Sequence, residues 1–112
     1  MKKLILIQLN ELNFDLAKKY PKKFKNINHI LENGLIKNLS EEKYNLLEPW
    51  IQWVSVYTGK SASEHKIFRL GDVADLDVEQ IHEKIEKKGF SVGAILPINL
   101  RNNLKKPKFF IP

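Results

Sequence analysis

Leu46–His65 reads "LLEPWIQWVSVYTGKSASEH", and the way this stretch folds decides how the rest of the chain is arranged around it. Pro49 suits the first turn of a helix, where its missing N–H would have no partner in any case. Trp50, Trp53, Val54 and Tyr57 then fall on one stripe at helical spacing, and Gly59 supplies the stop. Such a stripe predicts a buried aromatic helix face and needs no ligand to explain it. The flanks raise the functional question. Glu48-Pro49 opens the helix, and Thr58-Gly59 leads through a Ser-rich loop to His65.

Toward the N-terminus, Lys3–Leu9 is an apolar run that reads as a first strand, apolar on both faces like the buried strands of parallel sheets. Preceded by Lys2 and Lys3, the run begins like a secretory leader, but it already contains Gln8 and no small-residue cleavage site follows. It is also too short to span a bilayer. Next comes a polar turn and a short helical piece broken at Pro21. Phe24, Ile27 and Leu31 then recur at helical spacing up to Gly34. Leu35–Leu39 is a short strand candidate. Beyond the central helix, Asp77 reads as an N-cap with Gln80 at the reciprocal position, and Val78, Ile81 and Ile85 form an apolar face ending at Gly89. Phe90–Ile98 is the last clear strand, stopped by Pro97. The tail after it shows no period. Strands alternating with helices predict an α/β fold, with a parallel or mostly parallel sheet and flanking helices.

The chain has 112 residues, enough for a single domain with one core. With 43% hydrophobic and 29% charged residues its balance is globular, which excludes wholesale disorder. The absence of Cys removes disulfides, thiolate metal sites and a Cys nucleophile, and suits a reducing cytoplasm. The net charge of +6 comes from Lys clusters at 18–25, 87–88 and 105–108. Solvated helix faces account for them. With only Arg69 and Arg101 as arginines and no aromatic-basic motif, nucleic acid is not the expected partner.

Asn10, Glu11, Asn13 and Asp15 form a polar cluster after the first apolar run. Turn and N-cap chemistry explains them; oxygen ligation of a hard cation, with Glu11 as the charged ligand, is the functional alternative. In parallel sheets ligands bind beyond the carboxyl ends of the strands, which is where this cluster would sit. His29 and His82 are expected at the surface. No Walker loop, GxGxxG, HExxH or ordered Ser-His-Asp set is present.

Tyr57–Ile67, "YTGKSASEHKI", resembles the "TG-x-x-P-x-x-HGI" segment of the alkaline phosphatase-like superfamily, which includes phosphodiesterases, nucleotide pyrophosphatases and sulfatases. In that superfamily a strand ends in a metal-binding Asp, and a later helix begins with the nucleophile and ends in "TG". The order "IQLNEL", then "PWIQWVSVYTG", then His65 follows the same plan, and as topology the resemblance runs over residues 1–98. It implies an alkaline phosphatase-like core, an anionic phosphate or sulfate ester as substrate, and divalent metal (Zn, Mn, Mg or Ca). By position it assigns metal ligation to Asn10, beside Glu11, and functional roles to Thr58 and His65.

Four departures accompany the match. Asn10 stands where the family has its Asp, Pro49 where it has the nucleophile, and Lys66 where it has Gly; the motif's Pro is also lost from the loop. Glu48, next to Pro49, is our own candidate for a metal ligand or base. Family members are several times longer, and their remaining Asp and His ligands lie later in the chain. The expectation is therefore an N-terminal portion of a metal-dependent hydrolase or transferase, inactive alone and completed by a C-terminal region or by self-association. By analogy only, modification of a bacterial surface polysaccharide would suit direct transfer to an acceptor. The alternative is a non-catalytic α/β binding or interaction module. A polyanion-binding module using the Lys clusters ranks third.

Overall fold

Local signals near residue 13 are realised directly. In the computed structural model, which describes residues 3–112, α1 spans Phe14–Lys19. Asn13 caps it, its Oδ1 accepting the Leu16 N–H at 2.9 Å. Pro21 separates α1 from α2, Lys25–Glu32. Asn28 ties the two together, its Nδ2 donating to the carbonyls of Ala17 at 2.9 Å and Phe24 at 3.0 Å. Ala17 is the buried residue at this crossing. These elements belong to one compact unit, which ends at Leu39; a second runs from Ser40 to Pro112.

The second unit is built on α3, Pro49–Thr58, with Pro49 in the first turn and Gly59 closing the helix at φ 70°. That left-handed conformation is open to Gly without steric cost. Ile51, Val54, Tyr57 and Thr58 form the buried stripe. The two Trp flank it, half-buried. Trp50 donates its indole N–H to the Phe68 carbonyl at 3.1 Å, and Trp53 stacks on Tyr57 with centroids 6.1 Å apart. An indole that keeps its N–H satisfied sits at the edge of a core more readily than in its middle. Val54 packs with Ile67, Val73 and Leu76 as the apolar centre, and Val78 covers one side. Ser61 starts α4, Ala62–His65, and its N–H donates to the Glu64 carboxylate at 2.9 Å.

α5 spans Ile81–Lys87 and starts three residues later than the Asp77 cap implies. Gln80 is the actual cap, and its N–H donates to Glu83 Oε2 at 2.6 Å. The capping logic holds with different residues filling it. The expected apolar face is rotated as well: Ile81 is exposed, while His82 and Glu83 are buried. Arg101 makes this possible, as described below.

Strand formation is where the chain departs most from expectation. Lys3–Leu9 and Leu35–Leu39 adopt no strand, and Leu4–Ile7 are between 63% and 83% exposed. An apolar run becomes a strand only where a neighbouring backbone completes its ladder, and alternation alone supplies no neighbour. The last strand shrinks to β1, Gly93–Ile95, because Leu96 turns the chain at φ 48°. β2, Phe109–Ile111, arises from the tail that showed no period. The two pair in parallel with Gly93 opposite Phe109 and Ile95 opposite Ile111, and residues 96–108 form the crossover. A Cβ at Gly93 would overlap the Phe109 ring, so the strand contact requires glycine there. The architecture is thus mixed helix with a small parallel sheet, the coarse α/β class. Among the described residues no helix is long and apolar enough to cross a membrane.

Candidate functional site

Thr58 is the last residue of α3 and His65 the last of α4, and each side chain is engaged by its own partners. Thr58 Oγ1 donates to the Val54 carbonyl at 2.7 Å and accepts the Lys60 N–H at 3.2 Å. His65 is buried. Its Nδ1 accepts the Ile67 N–H at 3.0 Å, so the ring proton lies on Nε2, which donates to Ser55 Oγ 3.0 Å away. Burial pushes the imidazole below its ordinary pKa, against the smaller opposing pull of the Glu41 and Glu64 carboxylates. A neutral ring in this tautomer cannot take a proton from Ser55. Ser55 and His65 therefore form a brace, without the geometry of a nucleophile and its base.

The corner between α3 and α4 is reinforced by carboxylates. Glu41 Oε1 accepts the Ala62 N–H at 2.7 Å. The Ser61 backbone amide, the Ser61 hydroxyl and Lys60 together hold the Glu64 carboxyl down at about 2. These are first-turn helix contacts, of the kind that complement free N–H groups.

Glu48 lies at the other end of α3. It is the cap residue and its carbonyl accepts the Ile51 and Gln52 N–H groups at 2.9 and 3.0 Å, while its carboxylate makes no capping bond. A ten-residue helix separates it from Thr58 by about 15 Å at 1.5 Å per residue. Glu48 is consequently remote from Thr58. Asn10 and Glu11 occupy an exposed turn of the first unit, where Glu11 holds a left-handed φ of 55°. Among the described residues no three His, Asp or Glu side chains gather to hold a metal ion.

The densest polar arrangement lies elsewhere, on residues that the periodicity did not select. Arg101 Nε and Nη2 reach Glu83 Oε1 and Oε2 at 2.9 and 3.0 Å, a two-pronged pairing, and Nη1 donates to the Leu76 carbonyl. Its backbone N–H donates to Gln80 Oε1 at 3.0 Å, and its carbonyl accepts His82 Nε2 at 2.9 Å. Burial alone would raise the Glu83 carboxyl; the guanidinium and the Gln80 N–H outweigh it and hold it low. Asn99, buried at φ 53°, accepts the Gly71 N–H at 3.2 Å and donates to the carbonyls of Trp50 at 2.9 Å and Arg69 at 3.1 Å. The loop beyond the carboxyl end of β1 is thereby fastened to the first turn of α3, the turn carrying Pro49. His82, expected at the surface, is buried in this network.

An open groove of about 630 Å³ runs past the network, lined by Glu83, Glu86, Lys87, Arg101, Lys105 and Lys106 among others. Its charges are largely spent on structure. Glu86 accepts the backbone N–H groups of Lys105 and Lys106 at 2.9 and 2.8 Å, and Lys87 pairs with Glu79 at 2.5 Å. The one available sequence clue was that Arg101 is one of only two arginines in a Lys-rich chain; a planar, fork-shaped donor suits a buried carboxylate better than lysine does. Comparisons with protein-family models, with curated proteins and with solved structures return no match.

Proposed function

We propose that this chain is a non-catalytic α/β interaction module, an alkaline phosphatase-like core element that works when a further apolar surface completes it. The observation that carries this reading is the apolar surface left open. Leu4–Ile7 stand exposed, and Ile95 and Ile111 on the two-stranded sheet are 62% and 51% exposed. Two short strands are marginal by themselves, and an edge with apolar side chains invites another chain. The chemistry of the motif residues agrees. His65 is taken up in a brace with Ser55, Thr58 is bonded to the Val54 carbonyl, and Pro49 offers no nucleophile. A second copy of the chain is the partner available in a pure solution, and a cysteine-free chain of this kind suits a reducing cytoplasm.

Metal-dependent hydrolysis or transfer on an anionic phosphate or sulfate ester is the second reading, supported by Glu11. A non-Gly residue held at φ 55° at the end of an apolar run is the kind of outlier that gathers at functional sites. One experiment separates the two. Light scattering across a concentration series, run beside a panel of aryl phosphates and sulfates with Zn, Mn, Mg or Ca, is expected to give a mass above the 13.1 kDa monomer and no turnover. A monomer at every concentration removes the interaction reading. Turnover that Glu11→Gln abolishes establishes the second.

A further inference from the structure

Three side chains of one short helix grip the same downstream segment. From α5, His82 donates Nε2–H to the Arg101 carbonyl at 2.9 Å, Glu83 holds the Arg101 guanidinium, and Glu86 accepts the N–H groups of Lys105 and Lys106. The gripped residues lead directly into β2, whose lattice begins with the Lys108 N–H donating to the Val92 carbonyl at 2.6 Å. His82 is the chemically uneven member. It is 6% exposed, and its Nδ1 is buried with no hydrogen-bond partner. A proton arriving at Nδ1 creates a buried N–H donor without an acceptor, and a buried cation whose nearest neighbours include another cation.

We propose that α5 and the 101–106 segment form an acid-released clamp, in which protonation of His82 Nδ1 frees the segment and undocks β2 from β1. The groups facing His82 set the balance. Glu83 and Glu86 on its own helix favour its protonation, and Arg101 on the segment opposes it; Lys105 and Lys106 stand beside Glu86, while Glu79 and Lys87 pair with each other. Glu83 is already bound to Arg101 on both oxygens, so it offers the new N–H no free acceptor in the clamped state. Burial, the largest influence on His82, also keeps the clamped ring neutral. Once the segment lifts, water reaches Nδ1 and the ring regains its ordinary affinity for a proton. The released form then binds the proton more tightly, and falling pH drives release. With undocking, the Phe109 ring leaves Gly93 and the β1 edge opens to other strands.

Amide exchange followed by NMR on the whole chain tests this at Lys105, Lys106 and Lys108. With an ordinary histidine pKa of about 6.5 in the released form, protection at these amides, corrected for intrinsic rates, falls about tenfold from pH 7.5 to 5.5. His82→Gln retains a donor for the Arg101 carbonyl and cannot titrate, so its protection is expected to stay flat over the same interval. A variant that loses protection as steeply as the parent chain overturns the proposal. The parent chain supplies a second readout that needs no substitution: the side-chain nitrogens of His82 must change to the doubly protonated pattern as the segment opens. A His82 that stays neutral while those amides open also overturns it.

Discussion

Arg101 shows how one residue can set the chemistry of several others. Its guanidinium allows Glu83 to be buried as a carboxylate, and its backbone groups serve Gln80 and His82. Removing one partner of such a pair leaves the other charge desolvated, which costs far more than the pair itself contributes. Glu83→Ala is therefore expected to destabilise the second unit by about 3 kcal/mol or more in urea unfolding. Replacing both partners with apolar residues, Glu83→Leu with Arg101→Met, is expected to recover most of that loss. A double variant no more stable than Glu83→Ala would show that the network has value beyond charge compensation. Little of this was legible beforehand. Side-chain periodicity selects faces by hydrophobicity, so it placed Ile81 inside and His82 outside, the reverse of what a buried salt bridge produces.

At the level of elements, helices were read better than strands, and the reason is range. α3 keeps the start at Pro49 and the stop at Gly59 because both act through bonds within one turn. α5 slips by three residues because Asp77 and Gln80 are both competent caps, and only the Gln80–Glu83 contact with Arg101 decides between them. β2 depends on partners sixteen positions away, and no local pattern marks Phe109–Ile111 as the mate of Gly93–Ile95. The fit between those strands makes Gly93→Ala informative. The added methyl meets the Phe109 ring, and overpacking of this kind costs about 1–3 kcal/mol. Faster exchange at the Lys108 and Leu96 amides is the expected signature, and Phe109→Leu in the same chain should reverse it. Unchanged exchange in Gly93→Ala would mean that the strands accommodate the methyl by separating without loss.

For the second unit as a whole, acidity acts in one direction. His65 and His82 are both held below their ordinary pKa, chiefly by burial. The folded unit therefore binds fewer protons than the unfolded chain as pH falls through about 6.5, and stability present above that value is lost below it. The lowered carboxyls of Glu64, Glu83 and Glu86 add losses of the same sign at lower pH, where they become protonated. Urea midpoints measured from pH 8 to pH 4 should decline throughout, beginning near pH 6.5. A midpoint that holds constant down to pH 5 would show that both rings take up protons as readily in the folded unit as in the unfolded chain, and that burial does not hold them neutral. The sequence by itself determined the start and stop of α3, the lack of thiol chemistry, the basic charge and the mixed α/β class, since composition and single-turn hydrogen bonding decide these. Only the tertiary structure decided that Lys3–Leu9 finds no ladder, that Ser55 and His65 form a brace, and that the polar centre lies on Gln80, Glu83, Asn99 and Arg101. Each of those outcomes depends on which distant backbone or charge arrives as a partner, and a partner's arrival is not written in the residues that receive it.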